Sequence, residues 1–124
     1  MRSYSITIDG KSYNGTTASA KNQFEALHIA GKYGLVVHLK DDISDMASVT
    51  LLLQIPFEEV NRLVALLITD QVKFGEVPVA ENLFVDNIQN YYLLLAKVMY
   101  ENLGNFWKLR PPTKGEGGKT GQNS

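Results

Sequence analysis

Polar and apolar residues alternate over Ser3-Tyr4-Ser5-Ile6-Thr7-Ile8, placing Tyr4, Ile6 and Ile8 on one face at the period of a β-strand. Asp9-Gly10 follows, a two-residue turn sequence that tolerates the positive φ a tight hairpin requires. Lys11 to Asn14 supply the return strand, so a hairpin is predicted over 3–14. The period then becomes helical. Phe24, Leu27, Ala30 and Tyr33 recur at helix spacing behind Thr16 or Thr17 as cap, and Gly34 stands where helices end, which predicts a helix over about 18–33. Leu35 to Leu39 is short and β-branched, and reads as a strand or extended segment.

Asp41, Asp42, Ser44 and Asp45 offer caps for a second helix over about 45–54. Pro56 suits the first turn of a third over 56–70, because its missing N–H is not needed there. Phe57, Val60, Leu63, Val64 and Leu67 form that helix's apolar face, and Glu58 and Glu59 complement its dipole. Gly75 and Pro78 break the stretch 71–81 into a loop or weak hairpin. A long last helix is predicted over about 84–103, stopping at Gly104, before Phe106-Trp107 and Leu109 close the apolar part of the chain. The expected fold is α+β and mainly α: an N-terminal hairpin and about four helices in one globular domain over 1–110. Residues 111–124 are expected to form a disordered Gly-rich tail.

The last helix is apolar on more than one face. Phe84, Ile88, Tyr91, Leu95 and Val98 make one stripe, whereas Tyr92, Leu93, Ala96, Met99 and Tyr100 spread onto neighbouring faces. A surface helix shows a single stripe. Residues 51–53 and 63–68 are similarly broad. Either the last helix is central and wrapped by the others, or its surplus apolar surface meets another chain. Tyrosine and tryptophan suit such contacts because their polar tips tolerate partial exposure. Tyr91, Tyr92, Tyr100, Phe106 and Trp107 are therefore the candidate partner-binding residues. A chain of 124 residues has difficulty burying three multi-faced helices alone, which favours a homo-oligomer.

Composition narrows the chemistry. With 12 Lys+Arg against 13 Asp+Glu there is no basic stripe for nucleic acid, and with no cysteine there are no disulfides, thiolate metal sites or thiol catalysis. No apolar run exceeds six residues, far below the roughly 20 needed to cross a membrane, so no membrane association is expected and the location is read as cytoplasmic. His28 and His38 lack convergent metal-ligating neighbours, and packing or surface roles explain them with less. Asp41, Asp42 and Asp45 do not match a calcium-loop spacing, and helix capping accounts for them. Gly118-Lys119-Thr120 lacks the earlier glycine of a phosphate-binding loop, Thr113 standing in its place. No catalytic motif is present, so no enzyme activity, cofactor or metal is expected.

Taken in order, several segments resemble the tail assembly chaperones of long, flexible-tailed phages. The likeness is carried by Ile6-Thr7-Ile8-Asp9-Gly10-Lys11-Ser12-Tyr13-Asn14-Gly15 and by the Gln23-Phe24-Glu25-Ala26-Leu27 helix. Ile55-Pro56-Phe57, Glu81-Asn82-Leu83-Phe84 and Tyr91-Tyr92-Leu93-Leu94 add to it, over roughly residues 4–109. The resemblance implies a non-enzymatic chaperone that coats the long helical tape measure protein through apolar surface and self-associates along it. It further implies action in the host cytoplasm and absence from the mature virion. Genes of this family typically end near a programmed −1 frameshift that appends a domain recruiting tail tube subunits. Gly117-Gly118-Lys119 contains the Gly-Lys dipeptide that a slippery heptamer encodes, making Gly118 and Lys119 a possible frameshift position on a flexible linker. The alternative is a small phage or bacterial adaptor or inhibitor that binds one protein partner.

Overall fold

The structure is a computed structural model that describes residues 1–35 and 43–108, the last two as backbone alone. Its strands are β1 (Ser3–Ile8), β2 (Lys11–Thr16), β3 (Val72–Phe74) and β4 (Val77–Pro78). Its α-helices, among the described residues, are α1 (Ala20–Lys32), α2 (Asp45–Leu53), α3 (Phe57–Leu67) and α4 (Ile88–Leu103). Short 3-10 turns at Glu81–Phe84 and Gly104–Lys108 bracket α4. The α+β, mainly α expectation therefore holds. The segment 36–39, with His38, Asp41 and Asp42, lies outside the described residues, as do the tail 111–124 and the Gly118–Lys119 pair.

β1 and β2 pair antiparallel around Asp9 and Gly10, whose φ values of 52° and 76° are those the turn sequence demands. The hairpin outruns its expected end at Asn14. Gly15 stays in β2 because it pairs with Tyr4 on one side and Val72 on the other, and the Tyr4 ring lies over it. The weak hairpin expected in 71–81 forms as β3 and β4, turning at Gly75 (φ 63°), and extends the sheet in the order β1-β2-β3-β4.

Strand pairing takes Thr16, and Thr17 accepts a hydrogen bond from the Arg2 N–H, so neither caps α1. Ser19 does, its hydroxyl accepting from the Asn22 N–H at 3.3 Å. The buried face of α1 is Ala26, Ile29 and Ala30; Phe24, expected on it, is exposed. Two fully enclosed alanines allow α1 to lie close against α3, where a phenylalanine would hold the axes apart. Arg62 on α3 adds a two-pronged ion pair to Glu25 on α1, at 2.6 and 2.7 Å.

Pro56 stands at the cap of α3 rather than inside it, and α3 ends at Leu67, short of residue 70, because the chain reverses at Asp70 (φ 65°) to enter β3. The last helix starts at Ile88 rather than 84. Val85 is extended and Asp86 is left-handed (φ 69°), so Phe84 closes a separate 3-10 turn. From there α4 runs through the core. Leu94, Leu95, Val98 and Met99 are fully enclosed, packed among β1, α1, α2 and α3. The surplus apolar faces of the last helix are thus largely used within the chain.

One packed tyrosine carries an orphaned hydroxyl. Tyr4 lies beside Asn102, yet its buried oxygen has no hydrogen bond of proper geometry among the described residues. The Asn102 amide is engaged elsewhere, accepting from the Ala18 N–H and the Gln23 side chain and donating to the Val98 carbonyl. Burial, with the Glu101 carboxylate adding to it, pushes the Tyr4 hydroxyl up to about 12 from 10.0. An unfolded chain ionises this group near its ordinary value while the folded chain keeps its proton. Its contribution is therefore fully present below pH 10 and lost as pH rises through about 12. Tyr4→Phe is expected to leave stability at neutral pH within about 1 kcal/mol of wild type, on the stabilising side. It should also flatten part of the alkaline fall in a urea-denaturation series from pH 9 to 12.

Candidate protein-binding surface

Three helix ends meet at one place with their apolar residues turned outward. Leu51, Leu52 and Leu53 are consecutive on α2, and successive helix residues point about 100° apart, so a single neighbour cannot cover all three. Leu52 enters the core, whereas Leu53 is 64% exposed. Phe57 opens α3 just after Pro56 and is 62% exposed; Ile88 opens α4 and is 76% exposed.

Between these ends lies an apolar groove of about 350 Å³, lined by Leu53, Phe57, Ile88 and Tyr92 with Val49, Phe84 and Tyr91. Its polar lining is confined to Asn61, Glu81 and Gln89. A row of rings supports one wall. Phe74, Tyr13, Phe84, Tyr91 and Tyr92 follow one another with centroid separations of 5.3, 5.8, 5.2 and 6.3 Å. Such offset aromatic packing is directional, so the row ties the groove to the sheet through rings that cannot shift independently. Burial, then the Glu81 carboxylate and Tyr92, raise the pKa of Tyr91, keeping its hydroxyl neutral at physiological pH.

The five residues singled out from the sequence do not form one site. Tyr91 and Tyr92 line the groove, but Tyr91 is only 8% exposed and serves mainly as core. Tyr100 is half-buried and lines a different hollow of about 300 Å³ beside β1 and α2. Phe106 lies at the opposite end of α4, where it and Phe24 line a shallow hollow with Leu27 and Leu103. The Trp107 side chain lies outside the described residues. Leu53, Phe57 and Ile88 are the side chains that sequence reasoning missed. The triple leucine of 51–53 was the available signal, since one of three consecutive apolar residues must face away from the core.

His28 is exposed on α1, and among the described residues no three His, Asp or Glu side chains converge as a metal site. No helix among them is long and apolar enough to cross a membrane. The arrangement can bury apolar surface of a partner, and its few polar groups would fix that partner's position. No family model, curated protein or solved structure matches this chain.

Proposed function

We propose that this chain is a non-enzymatic tail assembly chaperone of a long-tailed phage, acting in the host cytoplasm and absent from the finished virion. It binds and solubilises the tape measure protein and self-associates along it, while a frameshifted longer product recruits tail tube subunits. The observation that carries the reading is the groove: Leu53, Phe57 and Ile88 stay exposed although the chain encloses a continuous core elsewhere. Contiguous exposed apolar surface of this kind is the mark of a protein contact. A second exposed aromatic pair, Phe24 and Phe106, lies at the other end of α4, roughly 24 Å away along the helix axis. Two separated apolar surfaces suit a protein that holds a client and a neighbouring copy at once. The small volume of the groove also supports the second reading, an adaptor or inhibitor engaging a single partner segment.

Co-expression with a tape measure protein, followed by co-purification and sedimentation velocity over a wide concentration range, tests the reading. The expected result is a soluble complex and concentration-dependent oligomers of the chaperone alone. Leu53→Asp and Ile88→Asp together should lower client recovery at least about tenfold, since each puts a charge at an apolar contact. Circular dichroism should stay native, because both side chains are largely exposed. A strictly monomeric protein that fails to hold the client would sink the chaperone reading. One stoichiometric partner without polymerisation would favour the adaptor.

A further inference from the structure

The apolar groove is bordered by carboxylates that have no cationic partner. Glu81 lines it, Glu58 follows Phe57 on α3, and Asp86 stands two residues before Ile88. The ion pairs among the described residues join Arg2 to Glu101, Lys32 to Glu59, Arg62 to Glu25 and Lys97 to Asp45, leaving these three acids out. No lysine or arginine lines the groove. The N-termini of α3 and α4 open here, and each contributes about half a positive charge, which three carboxylates outweigh. The field reaches the groove wall, where Glu81 adds to the effect of burial on Tyr91.

The backbone of an occupant is constrained as well. The lining comes from α2, α3, α4 and the 3-10 turn, and no strand contributes to it. An extended peptide laid here would find no strand edge for its N–H and C=O groups, which would stay unpaired against apolar side chains. A helix satisfies its own backbone and presents side chains alone, the usual solution in an apolar groove.

We infer that the groove takes an amphipathic α-helical segment whose aliphatic stripe is flanked by lysine or arginine. This rests on the binding role proposed above and adds the charge the partner must carry. The aliphatic stripe covers Leu53, Phe57 and Ile88, and the flanking cations reach Glu58, Glu81 and Asp86. Attraction at these exposed acids selects among helices and is weakened by salt, whereas the apolar contact is not.

Two synthetic helical peptides test this, sharing one Leu/Ile stripe and flanked by lysines in one and glutamates in the other. They are titrated into the full chain by fluorescence anisotropy. The lysine-flanked peptide should bind at least about fivefold tighter at low ionic strength, and the difference should close near 1 M salt. Glu58→Lys with Glu81→Lys should reverse the preference, while Ile88→Asp should weaken both peptides. Equal affinities, or a preference for the glutamate flanks, overturn the inference. Oligomers that Ile88→Asp disperses while neither peptide binds would assign the groove to a second copy, and also overturn it. Client capture indifferent to salt and charge reversal would defeat the inference and leave the chaperone role standing. Lysine-peptide binding without capture of a tape measure protein would defeat that role alone.

Discussion

Leu94→Ala is expected to lower the unfolding free energy by about 2–5 kcal/mol, read as a drop in the urea midpoint at an unchanged slope. Leu94 is fully enclosed in the middle of α4, where the helix meets the rest of the core. Removing its branched end takes away apolar contact and leaves a cavity that neighbours cannot fill, because Leu95, Val98 and Met99 are themselves held on all sides. Alanine is a better helix former than leucine, but that gain is a few tenths of a kcal/mol and does not compete. The informative comparison is Ile88→Asp, six residues earlier on the same helix. Being 76% exposed at the first position of α4, Ile88 loses little burial when replaced, and an acid in the first turn complements the helix dipole. Its effect on stability should stay within about 0.5 kcal/mol. If both variants destabilised equally, the placement of α4 with its middle in the core and its first turn at the groove would be wrong.

Gly15→Ala is the second large effect, expected to cost about 1–3 kcal/mol through overpacking. A Cβ at this position would stand 2.7 Å from the Tyr4 ring carbon Cζ and from its hydroxyl oxygen, and 3.0 Å from Cε1. Tyr4 is the direct cross-strand partner of Gly15 and is itself buried, so the ring has nowhere to retreat. The glycine is required by this close approach and not by its backbone conformation, which is that of an ordinary strand. A double-mutant cycle checks the cause. In a Tyr4→Ala background the same Gly15→Ala change should cost less than about half as much, because the atom it collides with is gone. Tyr4→Phe should give no such relief, since the ring carbon closest to the new methyl remains.

These variants touch the two places where sequence and structure part company. A glycine in strand surroundings reads as an ending, and so the expected hairpin closed at Asn14. Only the partner strand shows that a tyrosine covers the gap and lets pairing continue to Thr16. Likewise the apolar residues from 84 to 103 read as one helix, because Phe84 and Ile88 are spaced as on a helix face. The left-handed turn at Asp86 divides them, sending Phe84 into the core and Ile88 to the surface. Helix faces were harder still. Phe24 and Phe57 have the right spacing for the core, yet each sits near a helix start, and the core accepted small Ala26 and Ala30 instead of Phe24.

Local signals alone determined the hairpin turn at Asp9-Gly10, the α+β class, and four helices placed close to where they form. Each rests on short-range chemistry: positive φ at a turn, a capping hydroxyl, an apolar repeat of fixed period. Tertiary structure alone decided which apolar residues are left over. The broad apolar character of the last helix was legible, but it announced either a central helix or a binding surface, and α4 is mostly the first. The groove arises where α2, α3 and α4 bring Leu53, Phe57 and Ile88 together from positions up to 35 residues apart. No local pattern encodes such a meeting, because whether an apolar side chain is buried depends on what packs beside it, and its neighbours along the chain do not settle that.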